Sequence, residues 1–184
     1  MRRALDGLYA LSGALAAAFL AAIAVIVLAQ VSLNVVDWLS ERLAGGPIGL
    51  LIPSYADFAG YFLVAASFFA LAHSFRRAAL IRVNLILIRL PARARRAAEL
   101  FCSGLAAAIA GYLAWYVGLL TYDAWRFGDV SPGLVPIPLW IPRTVMTAGI
   151  AALLVACLDS LVEVLRGRTP GHVLAEDSRL ETME

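Results

Sequence analysis

No charged residue stands between Asp6 and Asp37, and the uncharged run from Leu8 to Leu33 is long enough to cross a lipid bilayer as a helix. Further apolar runs follow along the chain. The predicted spans are residues 8–33, 55–75, 100–122 and 139–161. Lipid offers no partner for free backbone N–H and C=O groups, and these runs lack the alternation of barrel strands. We therefore predict an all-α integral membrane protein with four transmembrane helices.

The composition agrees with residence in a membrane. Of the 184 residues, 62% are hydrophobic and 15% are charged, whereas a soluble domain has roughly 45–50% and about 25%. The net charge of only +2 excludes a nucleic-acid-binding protein. The centres of the predicted spans carry no ionisable group, and the two cysteines, Cys102 and Cys157, lie in different spans. We therefore expect no catalytic site, no metal and no cofactor, and a protein that is not an enzyme.

The arginines predict the orientation of the chain. Twelve of the 15 arginines lie at the N-terminus, between spans two and three, or after span four. The other side has only Arg42, Arg126 and Arg143. Because cytoplasmic segments carry the excess of positive charge, both termini are predicted to be cytoplasmic.

The connection between spans two and three is the most basic segment. Residues 79–90 are too short and too charged to span, and Arg82 and Arg89 fall on one side of a helix, so we predict a short interfacial amphipathic helix on the cytoplasmic side. Arg93 and Arg96 then lead into span three. These four arginines are candidates for contact with lipid headgroups or with a protein partner. The membrane domain is predicted to cover residues 1–166, followed by a polar cytoplasmic tail at 167–184.

Span three carries a line of small residues. Gly104, Gly111 and Gly118 recur every seven residues, so one face of the helix is nearly bare of side chains. Such faces let helices approach closely in lipid. The line either closes the protein's own bundle or packs against another membrane subunit.

The pattern resembles the DctQ family, the small membrane subunit of tripartite ATP-independent periplasmic (TRAP) transporters. The resemblance covers residues 8–164 and rests on several features together: four spans with both ends inside, Asp57 opening span two, Ile81-Arg82-Val83-Asn84-Leu85-Ile86 followed by Arg89-Leu90-Pro91, and Pro138-Leu139-Trp140-Ile141-Pro142 entering span four. It implies a scaffold-like subunit, in the inner membrane of a bacterium, that has no transport site of its own.

The resemblance also implies partners. A periplasmic solute-binding protein captures an organic acid, and a large membrane permease subunit carries the acid inward, driven by a sodium gradient. The residues expected on the periplasmic docking side are Trp38, Glu41, Asp57, Asp129 and Trp140.

Two alternatives remain open at this point. One is a small multi-span carrier that acts alone, which should have a carboxylate within a span. The other is an accessory subunit of a different membrane complex, such as a tricarboxylate-type tripartite transporter.

Overall fold

The computed structural model describes residues 2–46, 48–76 and 91–166. The helices in these ranges are α1 (Arg2–Ala44), α2 (Tyr55–Arg76), α3 (Ala92–Phe127) and α4 (Trp140–Leu165). Each includes a stretch long and apolar enough to cross a membrane, and the same ranges contain no regular strand. The prediction of an all-helical chain with four helices able to span a membrane is confirmed.

Two predicted elements lie outside the described residues. They are the interfacial helix at 79–90, which includes Arg82 and Arg89, and the polar tail at 167–184. The sidedness of the two termini also stays a prediction.

The helices α1 and α3 are much longer than a bilayer requires. With 43 and 36 residues they extend about 64 Å and about 54 Å, whereas the hydrocarbon core is about 30 Å thick. The residue after α3, Gly128, adopts the left-handed conformation (φ 67°) and donates its N–H to the carbonyl of Ala124. Glycine takes this conformation without strain, which explains why α3 ends there.

The helices form a row in the order α1, α2, α4, α3. Helix α2 packs between α1 and α4, and α3 packs against the far side of α4. The two outermost helices therefore have a main neighbour on one side only. Many large apolar side chains on α1 and α3 are exposed as a result.

Small residues form the seam between α3 and α4. On α3 the buried positions recur three, four or seven residues apart and include Ser103, Ala107, Ala110 and Val117. Ala107 and Ala110 share a buried cluster with Cys157 of α4. Small side chains let the helices approach closely, which matters in lipid, where burial of apolar area gives no net driving force.

The contact between α2 and α4 is even closer. A Cβ atom at Gly149 would lie 2.8 Å from the Cβ of Phe68 and 3.2 Å from its backbone carbonyl carbon. Gly13 of α1 is similarly tight against the ring of His73, whose Nδ1 lies 2.8 Å from the carbonyl oxygen of Tyr9. Because a carbonyl only accepts, His73 donates through Nδ1.

The two ends of the row differ in chemistry. At one end lie the connections that follow α1 and α3, and we call it the loop end. At the other, α2 ends and α3 begins with several arginines, and we call it the arginine end. Helices α3 and α4 are antiparallel along their shared length, since Arg143 donates to the carbonyl of Leu120 at the loop end (3.1 Å) and Arg96 to that of Leu165 at the arginine end (3.3 Å).

Candidate functional site

The loop end carries an ordered connection between α3 and α4. Ser131 N–H donates to the carbonyl of Ile137 (2.8 Å), and Leu139 N–H donates to that of Asp129 (2.9 Å). These bonds fold residues 128–139 into a hairpin-like loop, with an isolated bridge between Val130 and Pro138. The loop therefore presents a defined surface.

This loop lies on the beginning of α2. Ser54 connects the two, because its hydroxyl accepts the N–H of Val135 (3.0 Å) and its carbonyl accepts the N–H of Asp57 (3.0 Å). Gly133 lies so close to the Asp57 carboxylate and the Ser54 hydroxyl that a Cβ atom there would collide with the carboxylate. Asp57 is thus held beneath the loop, in the first turn of α2, where the helix dipole favours a negative charge.

Asp129 and Trp140 belong to the same region. The Asp129 carboxylate lies 3.6 Å from the guanidinium of Arg143 in the first turn of α4. The two side chains retain 47% and 29% of their exposure, so the pair adds about 1 kcal/mol or less to stability. Trp140 is the first residue of α4 and is partly exposed.

The last third of α1 projects past the start of α2 at the loop end. The buried Gln30 accepts the N–H of Ile52 (2.9 Å) and donates to the Asn34 side chain (2.9 Å). Further along, Asp37 accepts the N–H of Gly49 (2.7 Å). The chain that follows α1 therefore runs back along it, and α1 beyond Gln30 extends about 20 Å past that level.

Trp38 and Glu41 lie on this projection and are exposed, with the guanidinium of Arg42 5.4 Å from the centre of the Trp38 ring. All five residues predicted for the docking side are at the loop end. The structure places them in two groups, one on the projection of α1 and one around the α3–α4 loop.

The predicted glycine line flanks the seam between α3 and α4. A Cβ at Gly111 would make an ordinary 3.7 Å contact with Leu154, whereas a Cβ at Gly104 or Gly118 would meet nothing within 4 Å. The buried seam is formed instead by residues one position earlier, such as Ser103 and Ala110. The glycines leave open space beside the seam, and their contact with another subunit stays a prediction.

Arg93 and Arg96 are exposed at the arginine end. The bond from Arg96 to Leu165 satisfies one of the free carbonyls at the end of α4. Contact of these arginines with lipid or a partner also stays a prediction.

One feature of the fold was missed by sequence reasoning. A groove of about 170 Å³ lies between α1, α2 and α4. Its lining includes Phe58, Tyr61 and Phe62 of α2 and Ile141 and Val145 of α4. The spacing of the α2 aromatics by three and four residues was visible in the sequence, but their facing partners were not.

The described residues contain no group of three or more His, Cys, Asp or Glu side chains that could hold a metal ion.

Comparison with known proteins places the chain in a family. The family model described as "Tripartite ATP-independent periplasmic transporters, DctQ component" matches residues 49–167. No curated protein matches the chain. The matched region includes α2, α3, α4 and the α3–α4 loop, which is more than half of the chain. This confirms the resemblance read from the sequence: the protein is a multi-pass membrane protein that belongs to the DctQ family of TRAP transporter components.

Proposed function

We propose that this protein is the small, scaffold-like permease subunit of a TRAP-type secondary transporter in a bacterial inner membrane. It supports a large membrane permease subunit, which takes up an organic-acid-like solute from a periplasmic binding protein and is driven by a sodium gradient. The family match over residues 49–167 carries this proposal. The subunit has no enzymatic role.

The arrangement of the helices favours a supporting subunit over a carrier that acts alone. A carrier needs a polar site near the middle of the membrane, reached from both sides. Here the charged groups lie towards the helix ends, the helices stand in an open row, and the groove at α2 is lined by apolar and aromatic side chains. The family match also favours a TRAP complex over a tricarboxylate-type complex.

In the proposed orientation the loop end faces the periplasm and both termini are cytoplasmic. The excess of arginine at the arginine end supports it, as do the acidic residues Asp37, Glu41, Asp57, Asp123 and Asp129 at the loop end. In this orientation the projection of α1 and the α3–α4 loop face the binding protein. The basic residues Arg93 and Arg96 at the other end then face lipid headgroups or a protein partner. The same contact is proposed for Arg82 and Arg89, which lie outside the described residues.

Uptake into vesicles tests the proposal. The large subunit is reconstituted with and without this chain, the binding protein and labelled solute are added outside, and a sodium gradient is imposed. We expect uptake only with both membrane subunits present. Undiminished uptake without this chain contradicts the scaffold role, and uptake by this chain alone supports the carrier alternative.

A further inference from the structure

The face of α3 that points away from α4 carries three aromatic side chains with polar groups. They are Tyr112, Trp115 and Tyr116, which are 62%, 68% and 49% exposed. The rings of Tyr112 and Tyr116 contact each other, with centroids 4.5 Å apart. We call these three residues the aromatic surface of α3.

The aromatic surface lies near the middle of the membrane. Gly111 faces Leu154, which is close to the midpoint of the 26-residue α4. The neighbouring Tyr112 therefore lies at about the same depth, roughly 15 Å from either edge of the hydrocarbon core. A tyrosine side chain is much too short to reach water from there. Tyr and Trp facing lipid normally lie at the two interfaces instead.

Their polar atoms need a partner at this depth. Within the described ranges of the chain, neither tyrosine hydroxyl nor the Trp115 indole N–H makes a hydrogen bond. A hydroxyl without a partner in hydrocarbon costs several kcal/mol, about 4–8 for transfer from water to an alkane. A protein surface offers acceptors there, and lipid tails offer none.

The opposite edge of the row is chemically different. The exposed residues at comparable depth on α1 are aliphatic, among them Leu20 and Val25. Such side chains need no partner in lipid. The polar aromatic groups are thus specific to the α3 edge.

The shape of the α3 edge also suits another helix. Gly118 is one turn from Trp115, and a Cβ atom there would meet open space. A small residue beside a large aromatic ring leaves a groove next to a protruding side chain, and the side chains of a facing helix can pack into such a groove. Tyr and Trp are also the residues that most often carry the binding energy of protein interfaces.

We propose that the aromatic surface of α3 contacts a transmembrane helix of the large permease subunit, and that this partner accepts hydrogen bonds from the tyrosine hydroxyls. The inference rests on the proposed function, because it identifies which edge of the row faces that subunit. The partner surface is uncharged, since α3 has no charge between Glu99 and Asp123.

Photo-crosslinking tests which edge faces the large subunit. Benzoylphenylalanine is placed at Tyr112 or Tyr116 and, as the matched control, at Leu20 on the opposite edge, in a chain co-expressed with the large subunit. We expect the α3 positions to crosslink to the large subunit several times more strongly than Leu20. An equal or stronger yield from Leu20, or crosslinks from α3 only to lipid or to a second copy of this chain, overturns the surface assignment. If the unmodified subunits fail to co-purify at all, the proposed function itself fails.

A second measurement tests the hydroxyl groups. The variant with Tyr112→Phe and Tyr116→Phe keeps the rings and removes both donors, and Tyr122→Phe on the same helix near the loop end is the control. We expect the double variant to bind the large subunit in detergent about three- to tenfold more weakly, and the control to bind unchanged. Equal affinity of the two variants contradicts the inferred hydrogen bonds.

Discussion

Replacing Gly149 by alanine tests how closely α2 and α4 approach. The added Cβ atom would lie 2.8 Å from the Cβ of Phe68, 3.2 Å from its carbonyl carbon and 3.3 Å from the nitrogen of Phe69. Ordinary contacts between carbon atoms are about 3.5–4.0 Å, so the two helices must separate by about 1 Å. Two of the three atoms belong to the α2 backbone, and a change of rotamer cannot relieve those contacts.

The expected cost follows from this overlap. Overpacking of a closely packed contact destabilises by about 1–3 kcal/mol, and for a chain of this size the melting temperature falls by about 2–12 °C. The measurement is thermal unfolding of the purified chain in detergent. Gly60→Ala is the matched control, because Gly60 lies within the same packed pair of helices and an added Cβ would meet nothing within 4 Å. At Gly60 the higher helix propensity of alanine increases the stability of the folded chain by at most about 1 kcal/mol. Equal melting temperatures for the two variants would refute the close approach.

Two further variants probe the loop end. Gly133→Ala places a Cβ against the Asp57 carboxylate, so we expect the α3–α4 loop to detach and limited proteolysis within it to become several times faster, with the helices intact by circular dichroism. Gln30→Leu leaves the N–H of Ile52 without its acceptor, so we expect a loss of about 1–3 kcal/mol in thermal unfolding. Proteolysis or stability equal to that of the unmodified chain would contradict the corresponding contact.

The helices could be predicted because each depends on a local property of the sequence. An uncharged run of about 20 residues has only one stable conformation in lipid, so the spans follow from Leu8–Leu33 and its counterparts. Pro91 before α3 and the glycines Gly45 and Gly128 after α1 and α3 then set the helix boundaries. The order of the helices in the row could not be predicted in this way. It depends on which helix faces meet, and small residues that allow a close contact occur on several helices of this chain.

The glycines of α3 illustrate this limit. Their seven-residue spacing was the clearest small-residue pattern, yet the buried seam runs through Ser103, Ala107 and Ala110 beside them. Alanine and serine are small enough for a close helix contact, so the pattern of glycines alone does not select the face. Gly149, which lies directly against the α2 backbone, stands alone in its span, and its importance depends on the position of Phe68 on another helix.

The contact between Asp57 and Gly133 could not be predicted from the sequence either. The position of Asp57 at the start of a helix could be predicted, because an acid in the first turn interacts favourably with the helix dipole. Its closeness to Gly133, 76 positions later, arises only once α2 and α4 pack side by side and bring the loop over the first turn of α2. No local pattern encodes such a contact.

Where a side chain conflicts with its surroundings, the conflict itself carries information. In a well-adapted sequence, local preferences and the overall structure agree except where a function requires otherwise. The aliphatic edge of α1 agrees with lipid at every exposed position near mid-membrane, such as Leu20 and Val25. Tyr112 and Tyr116 conflict with lipid at the same depth, and nothing within the described part of this chain relieves the conflict by hydrogen bonding. A membrane partner that accepts these hydrogen bonds at α3 removes the conflict. The side chains that are least suited to lipid therefore indicate which edge of the helix row faces the partner subunit.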